Sequence, residues 1–223
     1  MFLIRPHILL SEFLGTAFLL MGVIGSGIMA ERLSPSDVGL QLFQNAFVTA
    51  GVLVAIISIF GSISADFNPA VTIIAWLLGH RERQEVIPII FFQVFGGCIG
   101  TVLSNIMFDL DWFQFSEKSR TGANLWLAEV IATIGLLLVV FSLLHTSRSR
   151  HIPYVVAAYI GGAYYFTSST SFANPAVSVA RMFSDTFAGI KPSSAPMFIL
   201  MQVVGLGLAF RIIKFLFPKP EAD

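Results

Sequence analysis

Asn68-Pro69-Ala70-Val71 recurs as Asn174-Pro175-Ala176-Val177, and the fold turns on how these two tetrapeptides are read. Asn is a preferred N-cap, and Pro is favoured at the first helical position, where the amide hydrogen it lacks has no partner in any case. Each tetrapeptide therefore reads as the start of a helix. The apolar run after the first reaches only residue 78, and the run after the second ends near residue 183. Both are too short to cross a bilayer, which takes about 20 helical residues. They read as half-helices that enter and stop.

The chain around them belongs in lipid. It is 56% apolar and 12% charged, with a mean hydropathy of +0.82, and a soluble domain could not cover itself with so few polar side chains. At about 1.5 Å per residue across roughly 30 Å of hydrocarbon, 223 residues supply about six spans. Net charge is zero with no basic half, which removes nucleic-acid binding. The single Cys98 lies in an apolar run and reads as a small core residue. Neither a His-Glu-x-x-His nor a Gly-x-Ser-x-Gly pattern occurs, so an intramembrane enzyme is disfavoured. Nothing calls for a cofactor or a resident metal.

Six spans are predicted at residues 8–30, 40–60, 86–108, 125–144, 152–166 and 197–217. Arg5 precedes the first, which runs well past a signal-peptide core without a clean cleavage site and reads as retained. The order is two spans, a half-helix and a span, then the same again. Ser11-Glu12-Phe13-Leu14-Gly15-Thr16 parallels Ala128-Glu129-Val130-Ile131-Ala132-Thr133, and Gln93 parallels Gln202. One domain, 1–223, thus holds two repeats at about 1–110 and 123–223. Because three spans is an odd number, the second copy is inverted and the half-helices meet from opposite faces. Irregular backbone at membrane depth is tolerated where it lines a watery cavity, so the approaches to Asn68 and Asn174 should line a pore. There the positive ends of two helices and two Asn amides would repel cations and pass neutral, hydrogen-bonding solutes.

Basic residues orient the chain. With the N-terminus cytoplasmic, Arg5, Arg81, Arg83, Arg148, Arg150, Arg211, Lys214 and Lys219 fall inside, against Arg32, Lys118, Arg120 and Lys191 outside. That excess places both termini in the cytoplasm of a cell inner (plasma) membrane. His7, His80, His145 and His151 all fall near cytoplasmic span ends, where a pH gate is conceivable.

Over essentially its whole length the chain resembles the aquaporin and aquaglyceroporin (major intrinsic protein) family. The resemblance implies an all-α, right-handed bundle of six transmembrane helices with two re-entrant half-helices, assembled as a homotetramer with one pore per subunit. It implies that Glu12 and Glu129 are structural, accepting hydrogen bonds from the re-entrant loops, as suits acids that are expensive in lipid. The family's outer filter has four positions, which align here with Thr49, Gly162, Ser171 and Val177, Phe172 being an alternative to Ser171. The Thr49 alignment assumes one deleted residue, the family's Gly-Ala-His being reduced to Ala65-Asp66. Val177 stands where the family carries Arg, so four small side chains should make a wide filter without a fixed positive charge.

Arg181 lies roughly 6 Å further out on the same helix. It either leans into the outer mouth or snorkels and pairs with Asp185. Asp66 either bonds locally or leaves the inner vestibule negative. The continuation Ser178-Val179-Ala180-Arg181 and Ser184 to Ile190 resembles a bacterial branch associated with arsenic resistance, implying glycerol, water and neutral metalloid hydroxides as solutes. The alternative is a secondary transporter, which shares inverted repeats and broken helices.

Overall fold

A computed structural model describes residues 5–218. Among these residues eight α-helices follow one another: α1 (Pro6–Leu33), α2 (Val38–Phe60), α3 (Pro69–Leu77), α4 (Arg83–Met107), α5 (Ala123–His145), α6 (Ile152–Phe166), α7 (Pro175–Ala180) and α8 (Ala195–Leu216). Short 3₁₀ turns, Ser149–His151 and Arg181–Phe183, precede α6 and follow α7. Lys219, counted above among the cytoplasmic bases, lies outside the described residues.

Local chemistry sets the helix starts. Pro occupies the first turn of α1, α3, α6, α7 and α8, the Asp37 carboxylate caps α2 through Leu40 N at 2.9 Å, and Glu82 with Glu85 forms a capping box on α4. Among the described residues five helices are long and apolar enough to cross a membrane. The fifth predicted span, α6, has only 15 residues and extends about 22 Å. It is shorter because Thr167 ends the helix and the chain turns back inward toward Asn174.

Outward surfaces carry exposed Phe43, Phe47, Ile87, Phe91 and Phe215, as a lipid-facing bundle requires, whereas Glu12, Gln93, Glu129 and Gln202 are fully buried. The helix α1 packs most extensively on α4, and α5 on α8. Gly96 lets the first pair close, since a Cβ there would stand 2.3 Å from the Phe13 carbonyl oxygen. Gly205 does the same for the second pair, where a Cβ would meet the Val130 oxygen at 2.8 Å. The short helices α3 and α7 touch each other inside this frame.

Candidate functional site

Both half-helices start in the same way. Asn68 has φ −157° and ψ 119°, and Asn174 has φ −157° and ψ 114°. Asn68 Oδ1 accepts from Ala70 N at 2.9 Å, and Asn174 Oδ1 from Ala176 N at 2.9 Å and Val177 N at 3.3 Å. Pro69 and Pro175 contribute the fixed φ of the first turn, and buried Ala70 and Ala176 leave room for the crossing. The preceding residues, Phe67 at φ 46° and Ala173 at φ 48°, sit in the left-handed region, which turns their carbonyls across the interface. Asn68 Nδ2 donates to Ala173 O and Asn174 Nδ2 to Phe67 O, both at 2.8 Å. One amide hydrogen of each Asn is thus used by the protein, and one remains for a passing oxygen.

Two buried acids hold the strained approaches. Glu129 Oε1 accepts from Phe172 N and Oε2 from Ala173 N, both at 2.9 Å. Glu12 accepts from Asp66 N at 2.9 Å, Phe67 N at 2.7 Å and the Ser64 hydroxyl. Gln93 bridges Glu12 and Thr72, and Gln202 bridges Glu129 and Ser178. Both carboxylates are fully buried and accept from loop donors and from Gln93 or Gln202.

A cavity of about 740 Å³ runs from His80, Arg81 and Arg150 past Asn68 and Asn174 to Tyr164 and Arg181. Thr49, Ser171, Phe172 and Val177 line it near Arg181, and Asp66 lines the opposite end. Gly162 does not reach it. That residue lies on the exposed face of α6, and a Cβ there would meet only the Phe166 ring, at 4.0 Å. The cavity face of α6 carries Val156, Ile160 and Tyr164, spaced by four. Two residues along a helix is about 200° of rotation, so counting from the motif put the filter position on the wrong side. Tyr164 supplies the group from α6, its hydroxyl 3.1 Å from Thr49 Oγ1 on α2. The recurrence of Val156, Ile160 and Tyr164 every fourth residue, about one helical turn apart, was the available signal.

Arg181 is 2% exposed, so it neither snorkels nor pairs with Asp185. Asp185 instead accepts from Glu117 N at 2.9 Å. The Arg181 guanidinium stacks 3.5 Å from the Phe172 ring centroid, and its Nε donates to Ala188 O. A cation therefore stands at this mouth although Val177 has replaced the expected Arg. At the other end Asp66 does not leave a free negative charge. Its Oδ2 accepts from Arg81 Nε at 2.7 Å and Thr72 Oγ1 at 2.9 Å, and Arg81 lies 3.6 Å from Glu12. Of the four histidines only His80 lines the cavity, beside the Phe141 ring.

Just outside the α7 end, Lys118 Nζ donates to Phe187 O at 2.6 Å. Burial, reinforced by Arg120 and Arg181 and opposed by Glu31 and Asp185, lowers this amine to about 8. Between pH 8 and the ordinary lysine range the unfolded chain then holds more protons at Lys118 than the fold does, so its contribution to stability rises with pH there. The melting temperature in detergent should climb across this window more steeply in the wild type than in Lys118→Met. Parallel curves would show that Lys118 is not the titrating group.

Comparison with known proteins points the same way. The pattern of the Major intrinsic protein family, MIP, matches residues 5–173. The chain is 41% identical over 207 residues to aquaglyceroporin AqpS of Rhizobium meliloti (strain 1021), covering 92% of this chain and 88% of that protein. It is 32% identical over 109 residues to the glycerol uptake facilitator protein of Escherichia coli (strain K12), covering 48% of this chain and 38% of the other. The X-ray structure of the aquaglyceroporin from Plasmodium falciparum superposes with a TM-score of 0.71 at 17% identity, over 93% of this chain and 95% of that one.

Proposed function

The chain belongs to the major intrinsic protein family and is a multi-pass membrane channel for small neutral solutes, and on that premise we propose that it sorts them at an outer constriction formed by Thr49, Tyr164, Ser171, Phe172, Val177 and Arg181. The observation that carries this reading is the cavity itself. It passes between two Asn-capped helix starts and then between hydroxyls and one guanidinium, and among the described residues its one lining acid, Asp66, is ion-paired with Arg81. Ser171 lines the cavity and its buried Oγ has no hydrogen-bond partner among the described residues, so a small movement of this side chain would offer its hydroxyl to a solute. Helix N-termini and Arg181 place positive potential along the path, which opposes cations, while neutral polyols exchange water for Ser171, Tyr164 and the free Asn amide hydrogens.

Glycerol and water are the proposed solutes, together with neutral trihydroxy metalloid acids, which present the same number of hydroxyl groups as glycerol. The chain is further proposed to sit in a cell inner membrane with both termini cytoplasmic and to assemble as a homotetramer. Purified protein in liposomes provides the test. Stopped-flow light scattering should show fast water shrinkage followed by glycerol re-swelling, with no current under a potassium gradient. Exclusion of glycerol, or an ion current, would sink the reading, and saturable flux driven by a proton or sodium gradient would replace it with secondary transport.

A further inference from the structure

Arg120 lies in the connection between α4 and α5 and does not line the cavity, yet it is only 8% exposed. Among the described residues the only ion pairs are those of Arg81 with Glu12 and Asp66, so neither Arg120 nor Arg181 has an acidic partner. What they share instead is one ring and one strip of backbone. The Arg120 guanidinium carbon stands 5.1 Å from the Phe172 ring centroid, on which Arg181 is stacked at 3.5 Å. Arg120 Nε donates to Gly189 O at 2.9 Å and Nη2 to Phe187 O at 3.3 Å, while Arg181 Nε takes the carbonyl between them, Ala188 O.

Arg120 is anchored at its own backbone, where N donates to Ser194 Oγ at 3.1 Å. Ile190 N returns to Arg181 O at 3.2 Å, which ties residues 187–190 back to the end of α7. A planar guanidinium suits this role, because its rigid fork can hold two carbonyls while its face meets an aromatic ring. Two buried like charges near one ring repel each other, and both are retained by the same phenyl group and by neighbouring carbonyls of one strap, Phe187 and Gly189 for Arg120 and Ala188 for Arg181. Removing Arg120 frees the Gly189 carbonyl, leaves Phe187 O to Lys118 alone and takes away one neighbour of Phe172, and Arg181 then loses part of the frame that fixes its direction.

We propose that Arg120 is a positioning residue for selectivity: from outside the cavity it fixes Phe172 and the 187–189 strap, and through them it sets where Arg181 stands across the outer constriction. This rests on the reading of that constriction as the solute filter.

The experiment compares wild type, Arg120→Leu, Arg120→Lys, Arg181→Leu and the Leu/Leu double variant in liposomes. The readout is the ratio of glycerol to water permeability in the same vesicles, which does not depend on how much channel has folded and inserted. Arg181→Leu should raise the ratio about fivefold and Arg120→Leu about threefold, and the double variant should match Arg181→Leu alone, as expected when both act through one group. Arg120→Lys, which keeps the charge but loses the fork, should raise the ratio by less than Arg120→Leu.

Equal losses of both permeabilities in Arg120→Leu, or multiplication of the two effects in the double variant, would overturn the proposal while leaving the filter intact. An unchanged ratio in Arg181→Leu would overturn the filter reading and this proposal with it. If Arg120→Leu does not insert, an unchanged ratio in Arg120→Lys overturns the proposal alone, and a raised one supports it.

Discussion

Glu129→Ala is expected to silence conduction of water and glycerol together and to cut the yield of folded protein several-fold. The carboxylate accepts from Phe172 N, Ala173 N and Gln202 Nε2, and all three donors belong to buried residues. Leaving a buried donor without a partner costs about 1–3 kcal/mol. A left-handed non-Gly residue such as Ala173 costs about 1–3 kcal/mol more and persists only when its surroundings over-determine it. Against a total stability of about 5–15 kcal/mol, losing the acid releases the turn that aims Asn174. Glu129→Gln should be milder, because one oxygen still accepts while the amide faces a backbone N–H. Thermal melting in detergent and water permeability per inserted channel read the two effects, and a Glu129→Ala channel within twofold of wild type would refute the argument. Glu12→Ala should be less damaging than Glu129→Ala, since Arg81 remains bound to Asp66 and keeps the first approach tethered.

Much of this was legible in the sequence because its determinants are local. Asn-Pro specifies a helix start through its own dihedrals and its own side chain, so α3 and α7 were found where they stand. The family resemblance implied that Glu12 and Glu129 accept from the re-entrant loops, and those bonds are present, with Gln93 and Gln202, legible in the sequence only as a repeat match, as further donors. Gly162 was misplaced because counting through an irregular loop loses helical phase, and an error of two residues moves a side chain to the opposite face. Arg181 depends on Phe172 and on residues 187–189, which arrive from separate stretches of irregular backbone and leave no periodic trace. Asp66 depends on Arg81 beyond the far end of α3, a contact that exists only because the half-helix stops and the chain folds back. What escaped the sequence was therefore side-chain direction in loops, and in this channel those side chains set the charge at both mouths.

Val177→Arg should reduce glycerol permeability about tenfold or more while lowering that of water far less. Val177 is 5% exposed, lines the cavity and lies one turn before Arg181 at the start of α7. A long cation at this point enters the space bounded by Tyr164, Ser171 and Phe172, and the guanidinium of Arg181 already stands beyond it. Tenfold corresponds to about 1.4 kcal/mol of added barrier, which is modest for a solute that must shed hydroxyl contacts while passing a narrowed ring. Water, with a smaller cross-section and donors of its own, retains a path. Repulsion between the two guanidiniums supplies an internal check. In the Val177→Arg, Arg181→Leu double variant the incoming Arg has no neighbour of like charge and can take the ring of Phe172 for itself. Glycerol flux should then recover part of the way while cations stay excluded. Equal losses for water and glycerol in the single variant would place Val177 away from the narrowest point, and no recovery in the double variant would mean that bulk at residue 177 alone closes the path, without help from Arg181.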